Sequence, residues 1–495
     1  MTVTEPSTSG TAALPGQRAA GRRNGSRAPH LTPAERAARG LAARAALPPG
    51  EQGELRLAAD RPHPVEVMEQ QAATRVPELV PMRHGRMMVS PFTFYRGNAK
   101  GMAIDLAAAP VSGLSVQMCG DAHLSNFGVF GSPERRLLFD VNDFDETTRG
   151  PWEWDVKRLA ASMVVAGRAN GFTRKECRKI VRATTRRYRD ATARFAGMRA
   201  LDVWYARAEM DEIQQLVEAR LDKRRRKNLD KSVAKALSSD SMKAFSKLAE
   251  VVDGHARIKA DAPVVVPLRD MLDGDRRETF ETQIEALLGR YRRTLPSDRR
   301  HLLDQFRFVD IARKVVGVGS VGTRCWIVLL EGRDQGDPLF LQVKEAEASV
   351  LSEHVPTAMR ARYTPRNEGE RVVGGQRLMQ ASSDIFLGWE RAEGIDGHQR
   401  DFYVRQLRDM KGSGVVESMD PIALGAYGEL CGWTLARAHA RSGDAIALTS
   451  YLGEDDAFPD AVAAFAELYA DRNEADYTGF VAAVRDGRLQ AETGV

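Results

Sequence analysis

Two short polar stretches carry residue types suited to moving phosphoryl groups. The first reads Cys119-Gly120-Asp121-Ala122-His123-Leu124-Ser125-Asn126, the second Asp140-Val141-Asn142-Asp143-Phe144-Asp145-Glu146. A carboxylate can accept or orient the proton of an attacking hydroxyl. An amide oxygen and a second carboxylate can hold the magnesium ions that neutralise phosphates. Asp121 is therefore the expected base, and Asn126 and Asp143 the expected metal ligands, with Asp145 as a helper. A lone Gly-Asp-x-His is more often a turn whose Asp satisfies nearby amides, so context must decide.

That context begins with two apolar runs, Leu114 to Met118 and Leu137 to Phe139, which read as short buried strands ending at the polar clusters. Gly150-Pro151-Trp152-Glu153-Trp154-Asp155 then opens a helix, with Leu159, Met163 and Ala166 on one face and Lys157 and Arg158 off it. The whole block resembles the aminoglycoside and choline phosphotransferase branch of the kinase-like fold. There a Gly-Asp-x-His-x-x-Asn loop, an Asp-aromatic-acidic metal site and a bracing Asp at a helix start recur. The resemblance implies that Asp121 and His123 belong to the catalytic loop and that Asp155 braces it. Cys119 departs from the pattern, standing where that branch usually has His.

A second candidate group lies far along the chain. Arg307 to Val316 reads as a strand and leads into Gly317-Val318-Gly319-Ser320-Val321-Gly322. By itself G-x-G-x-x-G is weak evidence. Here it is followed by the β-rich Cys325 to Leu330, a turn at 334–338 and a strand ending at Val343-Lys344. A glycine turn between strands is the kinase arrangement, not the Rossmann one, in which strand runs into helix. Gly317, Gly319, Ser320 and Gly322 would cover phosphates, and Lys344 would reach them as the kinase strand lysine does. Glu345, Glu347, Glu353 and Glu370 compete to pair with Lys344. Glu370 is favoured because it leaves room for an intervening turn.

The stretch from Arg83 to Gly97, together with Gly120-Asp121-Ala122-His123 and Asn142 to Glu146, is similar to the bacterial domain-of-unknown-function family numbered 2252. That likeness runs from about residue 80 to the C-terminus and supplies no activity. The aromatic cluster at 92–95 reads as packing. Arg96 beside Gly97 could instead meet a phosphate or an acidic loop.

The supporting elements follow from patterning. Residues 1–50 are rich in Ala, Gly, Pro, Ser and Arg and read as a flexible basic tail, with Arg18, Arg22, Arg23 and Arg27 solvated. Helices are expected over about 173–198, 208–224, 229–252 and 276–294. The basic run Lys223–Lys227 could bind nucleic acid, but no aromatic residues interleave with it and a solvated helix end is the better reading. Glu370 opens a helical run to Met379. Strands are expected at Ile385–Trp389 and Phe402–Leu407, a hinge over 407–414, and a helix from Tyr427 to Ala440 with His439 packed in the core. The tail from Leu448 should close the larger lobe.

Together these give an α/β (α+β), protein-kinase-like, two-lobed fold. Its segments would be 51–306 and 415–495 for a helical large lobe and 307–414 for a small antiparallel sheet lobe. Since the catalytic loop precedes the glycine-loop sheet, the fold must be circularly permuted, which closely placed termini tolerate. The implied cofactors are ATP and Mg²⁺, with a small hydroxyl-bearing molecule as acceptor. Nucleotidyl transfer, nucleotide binding without turnover, and a nucleic-acid-associated binding module are the rival readings. Net charge of +5 requires no partner beyond ATP. Four scattered cysteines suggest neither disulfides nor zinc, and with no signal or membrane span a cytoplasmic protein is expected.

Overall fold

A computed structural model describes residues 30–218, 222–360, 364–407 and 409–494. In chain order its strands are β1 (Ser115–Met118), β2 (Phe127–Gly131), β3 (Leu137–Val141), β4 (Thr148–Pro151), β5 (Ala249–Val252), β6 (His255–Ile258), β7 (Val265–Pro267), β8 (Arg307–Lys314), β9 (Cys325–Glu331), β10 (Pro338–Glu345), β11 (Gly388–Glu393) and β12 (Gln399–Gln406). The two apolar runs expected beside the polar loops are β1 and β3. Each forms a two-stranded antiparallel ribbon, β1 with β4 and β2 with β3.

The largest sheet has the order β11-β12-β10-β9-β8-β7, antiparallel throughout. Every residue of β9 and β10 is buried, because both faces of the sheet are covered. Trp326, Val328, Leu330, Leu339, Leu341 and Val343 join one core with Ile284 and Tyr291 of the helix Gly274–Tyr291. Ile327, Leu329 and Phe340 point the other way, toward Ala244 and Ile258. The side-chain period of two thus divides one apolar run between two cores.

The sheet reaches back further than residue 307. β7 pairs with β8, and the β5–β6 hairpin and the helix Ser241–Leu248 cover one face, so the expected boundary cuts through this unit. The single helix expected over 229–252 is also replaced. One helix ends at Leu237, Asp240 caps another by accepting from Lys243 N, and Ala249 starts the hairpin. The hairpin turns at Asp253-Gly254, both with positive φ, the backbone a tight two-residue turn demands. Ile385–Leu387 is not strand: β11 begins at Gly388, and Asp384 turns the preceding segment by accepting from Phe386 N.

Helices build the other, larger core. Trp152–Ala169, Arg174–Ala196, Pro421–Ser442 and Ala457–Arg485 pack together, the last carrying Phe458, Phe465 and Tyr469 into the interior as expected for the closing tail. The tail expectation for residues 1–50 fails where it can be judged. Pro33–Ala46 is a helix with a Thr32–Glu35 capping box, docked on the helix Ala445–Leu452 through Arg36–Asp444 (2.8 Å) and through Arg44 bonds to the carbonyls of Tyr451 and Leu452. Alanine and arginine are good helix formers, and a neighbouring surface supplies what the sequence lacks in large apolar residues. Arg18, Arg22, Arg23 and Arg27 lie outside the described residues. No helix among the described residues is long and apolar enough to cross a membrane.

Candidate active site

The Asp121 loop is shaped by the helix that follows it. Asp155, in that helix's first turn, accepts from the amides of Cys119 (2.8 Å) and Gly120 (3.0 Å), the bracing role expected of it. Behind it, His439 places Nε2 3.2 Å from the Asp155 carboxylate and Nδ1 2.8 Å from the Tyr188 hydroxyl. His439 is therefore a buried structural residue, as its helix pattern suggested. Gly120 has φ +84, and a Cβ there would lie 2.1 Å from the Glu146 carbonyl. Only glycine lets the two acidic loops touch at this point.

Lys157 and Arg158 are buried, contrary to the expectation that they face away from the core. Helix 152–169 is enclosed on nearly all sides, so its polar residues must find internal partners. Lys157 sits over the Phe465 ring. Arg158 pairs with Asp121, its Nε and Nη2 lying 2.8 and 2.7 Å from Oδ1, and stacks on the Tyr95 ring. Burial raises the Asp121 pKa against the pull of Arg158. Oδ2 faces His123 Nε2 at 3.6 Å, and burial pushes that imidazole well below its usual pKa, so it is neutral. Asn126 donates from Nδ2 to the Asp121 carbonyl (2.7 Å), which turns its amide oxygen to other use.

The second acidic loop is gripped from the sheet. Lys344, on β10 and 2% exposed, donates to Asp145 Oδ2 at 2.6 Å and lies 3.9 Å from Asp143 Oδ2. Burial opposes its charge, yet the two aspartates hold the ammonium well above its usual pKa. Tyr403 on β12 donates to Asp145 Oδ1 (2.6 Å), and Ser320 Oγ approaches Oδ2 at 3.3 Å. Both Asp145 oxygens are thus engaged. Asp145 serves as the counter-ion of Lys344, which replaces the expected Glu370–Lys344 pair. Glu370 instead accepts from Arg366 N (2.6 Å) at the start of the helix Glu368–Met379. That helix meets the loop through Arg371, which donates to the carbonyls of Asp145 (2.9 Å) and Thr147 (2.6 Å).

Gly317, Gly319 and Ser320 line the same cleft as Asp121, Asn126 and Asp143, a cavity of about 490 Å³. Gly322 does not. It turns with φ +91 against the Arg75 side chain, and its carbonyl accepts from Val76 N (2.8 Å). Arg86 donates to the Gly317 carbonyl (2.7 Å), so the turn is seated on the segment 75–86.

Among the described residues no three His, Cys, Asp or Glu side chains converge as a metal cage. Asp143, about one-third exposed, and the free Asn126 oxygen nevertheless form a hard-oxygen pair on the cleft wall. Magnesium commonly takes only one or two protein ligands and completes its shell with phosphates and water, so this donor set fits it. The basic run is partly spent inside the fold, where Arg225 pairs with Asp420 (2.7 Å). The segment 407–414, whose residue 408 lies outside the described residues, runs along β2 through a paired bridge between Val129 and Gly412.

Sequence reasoning missed Arg158, Tyr403, Arg371 and Glu146. Arg158 had a usable signal, one turn after Asp155 on the same helix. Glu146 stands in the second acidic stretch itself, where its neighbours drew the attention; Tyr403 and Arg371 come from distant segments and had no signal. A family model described as "Uncharacterized protein conserved in bacteria (DUF2252)" matches residues 75–483. No curated protein matches the chain, and no solved structure does.

Proposed function

We propose that this chain, which belongs to the DUF2252 family of proteins conserved in bacteria, is an ATP- and Mg²⁺-dependent phosphotransferase of a circularly permuted kinase-like fold, acting on a small hydroxyl-bearing molecule. One observation carries the reading: Lys344 meets Asp145 and Asp143 across 199 and more residues of chain, and those two aspartates line one cleft with Asp121, Asn126 and the Gly317–Ser320 turn. Nothing in local sequence requires that convergence. The order of elements supports it too. Strand, glycine turn, strand, lysine strand, helix, two strands, a connecting segment and a long helix follow one another from β8 to Ser442. The loop segment that would come next in an unpermuted chain lies earlier, at β1 to β3.

In this reading Asp121 Oδ2 orients the acceptor hydroxyl and takes its proton as the new oxygen–phosphorus bond forms and the bond to ADP breaks. Arg158 holds Oδ1, which fixes the carboxylate in one orientation. Neutral His123 packs beside it without competing as a cation. Lys344 neutralises phosphate oxygens and is itself aimed by Asp145 and Tyr403. Asp143 and Asn126 would hold magnesium, which when bound offsets the charge of the phosphates.

Unfolding of the full-length protein, followed with and without nucleotide, tests this. ATP with Mg²⁺ or Mn²⁺ at a hundredfold excess over its dissociation constant should stabilise it by about 2.7 kcal/mol. Asp143→Asn should remove the metal-dependent part, whereas Asp121→Asn should keep it and abolish turnover. No shift with any nucleotide and metal would overturn the proposal. A shift without phosphate transfer to any acceptor would mark a nucleotide-binding protein without turnover, and pyrophosphate release would mark nucleotidyl transfer.

A further inference from the structure

Arg96, like Arg75 and Lys100, is a cleft-lining cation that the mechanism above does not use. It sits at the end of the helix Pro91–Gly97, whose Phe92, Phe94 and Tyr95 are buried and fix its place. Its Nε is buried and meets no acceptor among the described residues. Buried Nε atoms in Arg182, Arg292, Arg313 and Arg472 share that feature, but each of those guanidinium groups pairs with a carboxylate. Arg83 bonds to the Gly97 carbonyl (2.7 Å), and Arg75 bonds to the Val321 carbonyl. The carboxylates that attract Arg96 are Glu417, which does not line the cleft, and then Asp121, whose Oδ1 is already held by Arg158. Arg96 is therefore not needed as its counter-ion.

The Arg96 backbone packs beside the glycine turn, where a Cβ on Gly319 would lie 3.2 Å from its carbonyl, so the groups its side-chain charge acts on must mark the side it serves. Asp121 and His123 are within its electrostatic reach, whereas Lys344 is matched to Asp143 and Asp145. Lys100, on the next helix, lines the same cleft and among the described residues meets the exposed Glu353 at 3.7 Å. A guanidinium with donors to spare in a half-enclosed cleft is suited to the paired oxygens of a phosphate or carboxylate. We propose that the acceptor carries an anionic group, phosphate or carboxylate, and that Arg96 binds it beside Asp121. This rests on the phosphotransferase reading, which makes the Asp121 side the acceptor side.

Calorimetric titration of the full-length protein tests it, with glycerol 3-phosphate and glycerate as anionic probes, glycerol and choline as neutral and cationic ones, all in Mg²⁺–ADP. The anionic probes should bind and the others should not. Arg96→Gln should weaken the anions at least tenfold, Arg96→Lys should retain part of the affinity, and Mg²⁺–ATP affinity should be the same in all three proteins. Absence of anion binding to the wild type, equal binding to Arg96→Gln, or a preference for choline would overturn the proposal. So would weaker Mg²⁺–ATP with unchanged Mg²⁺–ADP in Arg96→Gln, which would assign Arg96 to the transferred phosphoryl group. Inorganic phosphate titrated without nucleotide keeps the two readings apart. Phosphate binding lost in Arg96→Gln and kept in Asp143→Asn would sustain the anion site even if the wild type bound no nucleotide.

Discussion

The two acidic loops follow strands of similar length, carry similar residues and touch at Gly120, yet they are held in opposite ways. The Asp121 loop is braced from within the helical core, by Asp155 and Arg158 of the next helix and by His439 behind them. The Asp143–Glu146 loop is held by Lys344 and Tyr403 of the sheet, by Val350 in the connection that follows β10 and by Arg371 of the next helix, all about 200 or more residues later. One loop keeps its shape whatever the sheet does. The other acquires its charge balance only when sheet and helical core come together. Under the proposed phosphotransferase reading that division is useful, since the base would stay fixed while the metal and phosphate side responds to closure.

The largest effect should come from removing the shared cation. Lys344→Met leaves Asp145 and Asp143 without their ion-pair partner and with Arg405 as a further cation to offset them, and losing one partner of a buried pair costs about 3–5 kcal/mol. Urea unfolding reads this directly. Adding Asp145→Asn to that variant should restore part of the loss, because the uncompensated charge goes too. A cost near zero for Lys344→Met would mean that the pair is not closed in solution, and the contrast between the loops would fail. Next in size is Asp155→Ala, which strands the amides of Cys119 and Gly120 and should cost about 2–3 kcal/mol. If the loops are held independently, Lys344→Met and Asp155→Ala should add to within about 0.5 kcal/mol. A larger coupling would show that the contact at Gly120 makes them one unit.

The same contrast governs what could be read from sequence. Asp155 was legible as the brace through the resemblance of its block to small-molecule phosphotransferases, with its place at the start of the next helix. β9 and β10 were legible because strands buried on both faces are nearly continuous apolar runs. The Asp253-Gly254 hairpin was equally legible and was overrun by a helical periodicity that continues through Ser241–Leu248. Asp145 was different in kind. That Asp145 meets Lys344 and Tyr403 depends on strands about 200 or more residues later, and no spacing within Asp143–Glu146 encodes that. Helix 33–46 was lost for the same reason, since its stability lies in contacts with Asp444 and residues 451–452.

The smallest expected effect concerns Glu146, the residue where the grip on the second loop is weakest. One of its oxygens accepts from Val350 N (2.7 Å), but burial outweighs that bond and raises the carboxyl from its ordinary value to about 7. A carboxyl with a folded-state pKa above its unfolded value binds more protons folded than unfolded. Its contribution is therefore most favourable below about pH 4.5 and declines as pH rises to about 7, where the folded protein must carry the buried charge or lose it to solvent. The full shift corresponds to about 3 kcal/mol, and partial exposure to the cleft should leave about 1–2 kcal/mol of it. Glu146→Gln keeps the shape and the acceptor for Val350 N while removing the titration. The difference in unfolding free energy between wild type and Glu146→Gln should move in favour of the variant from pH 5 to pH 7.5. Nucleotide and Mg²⁺ should shrink that drift, because a cation in the cleft favours the ionised carboxylate. A difference that stays flat across this range would mean that Glu146 is already solvated, and the second loop would then be held by Lys344 and Tyr403 alone.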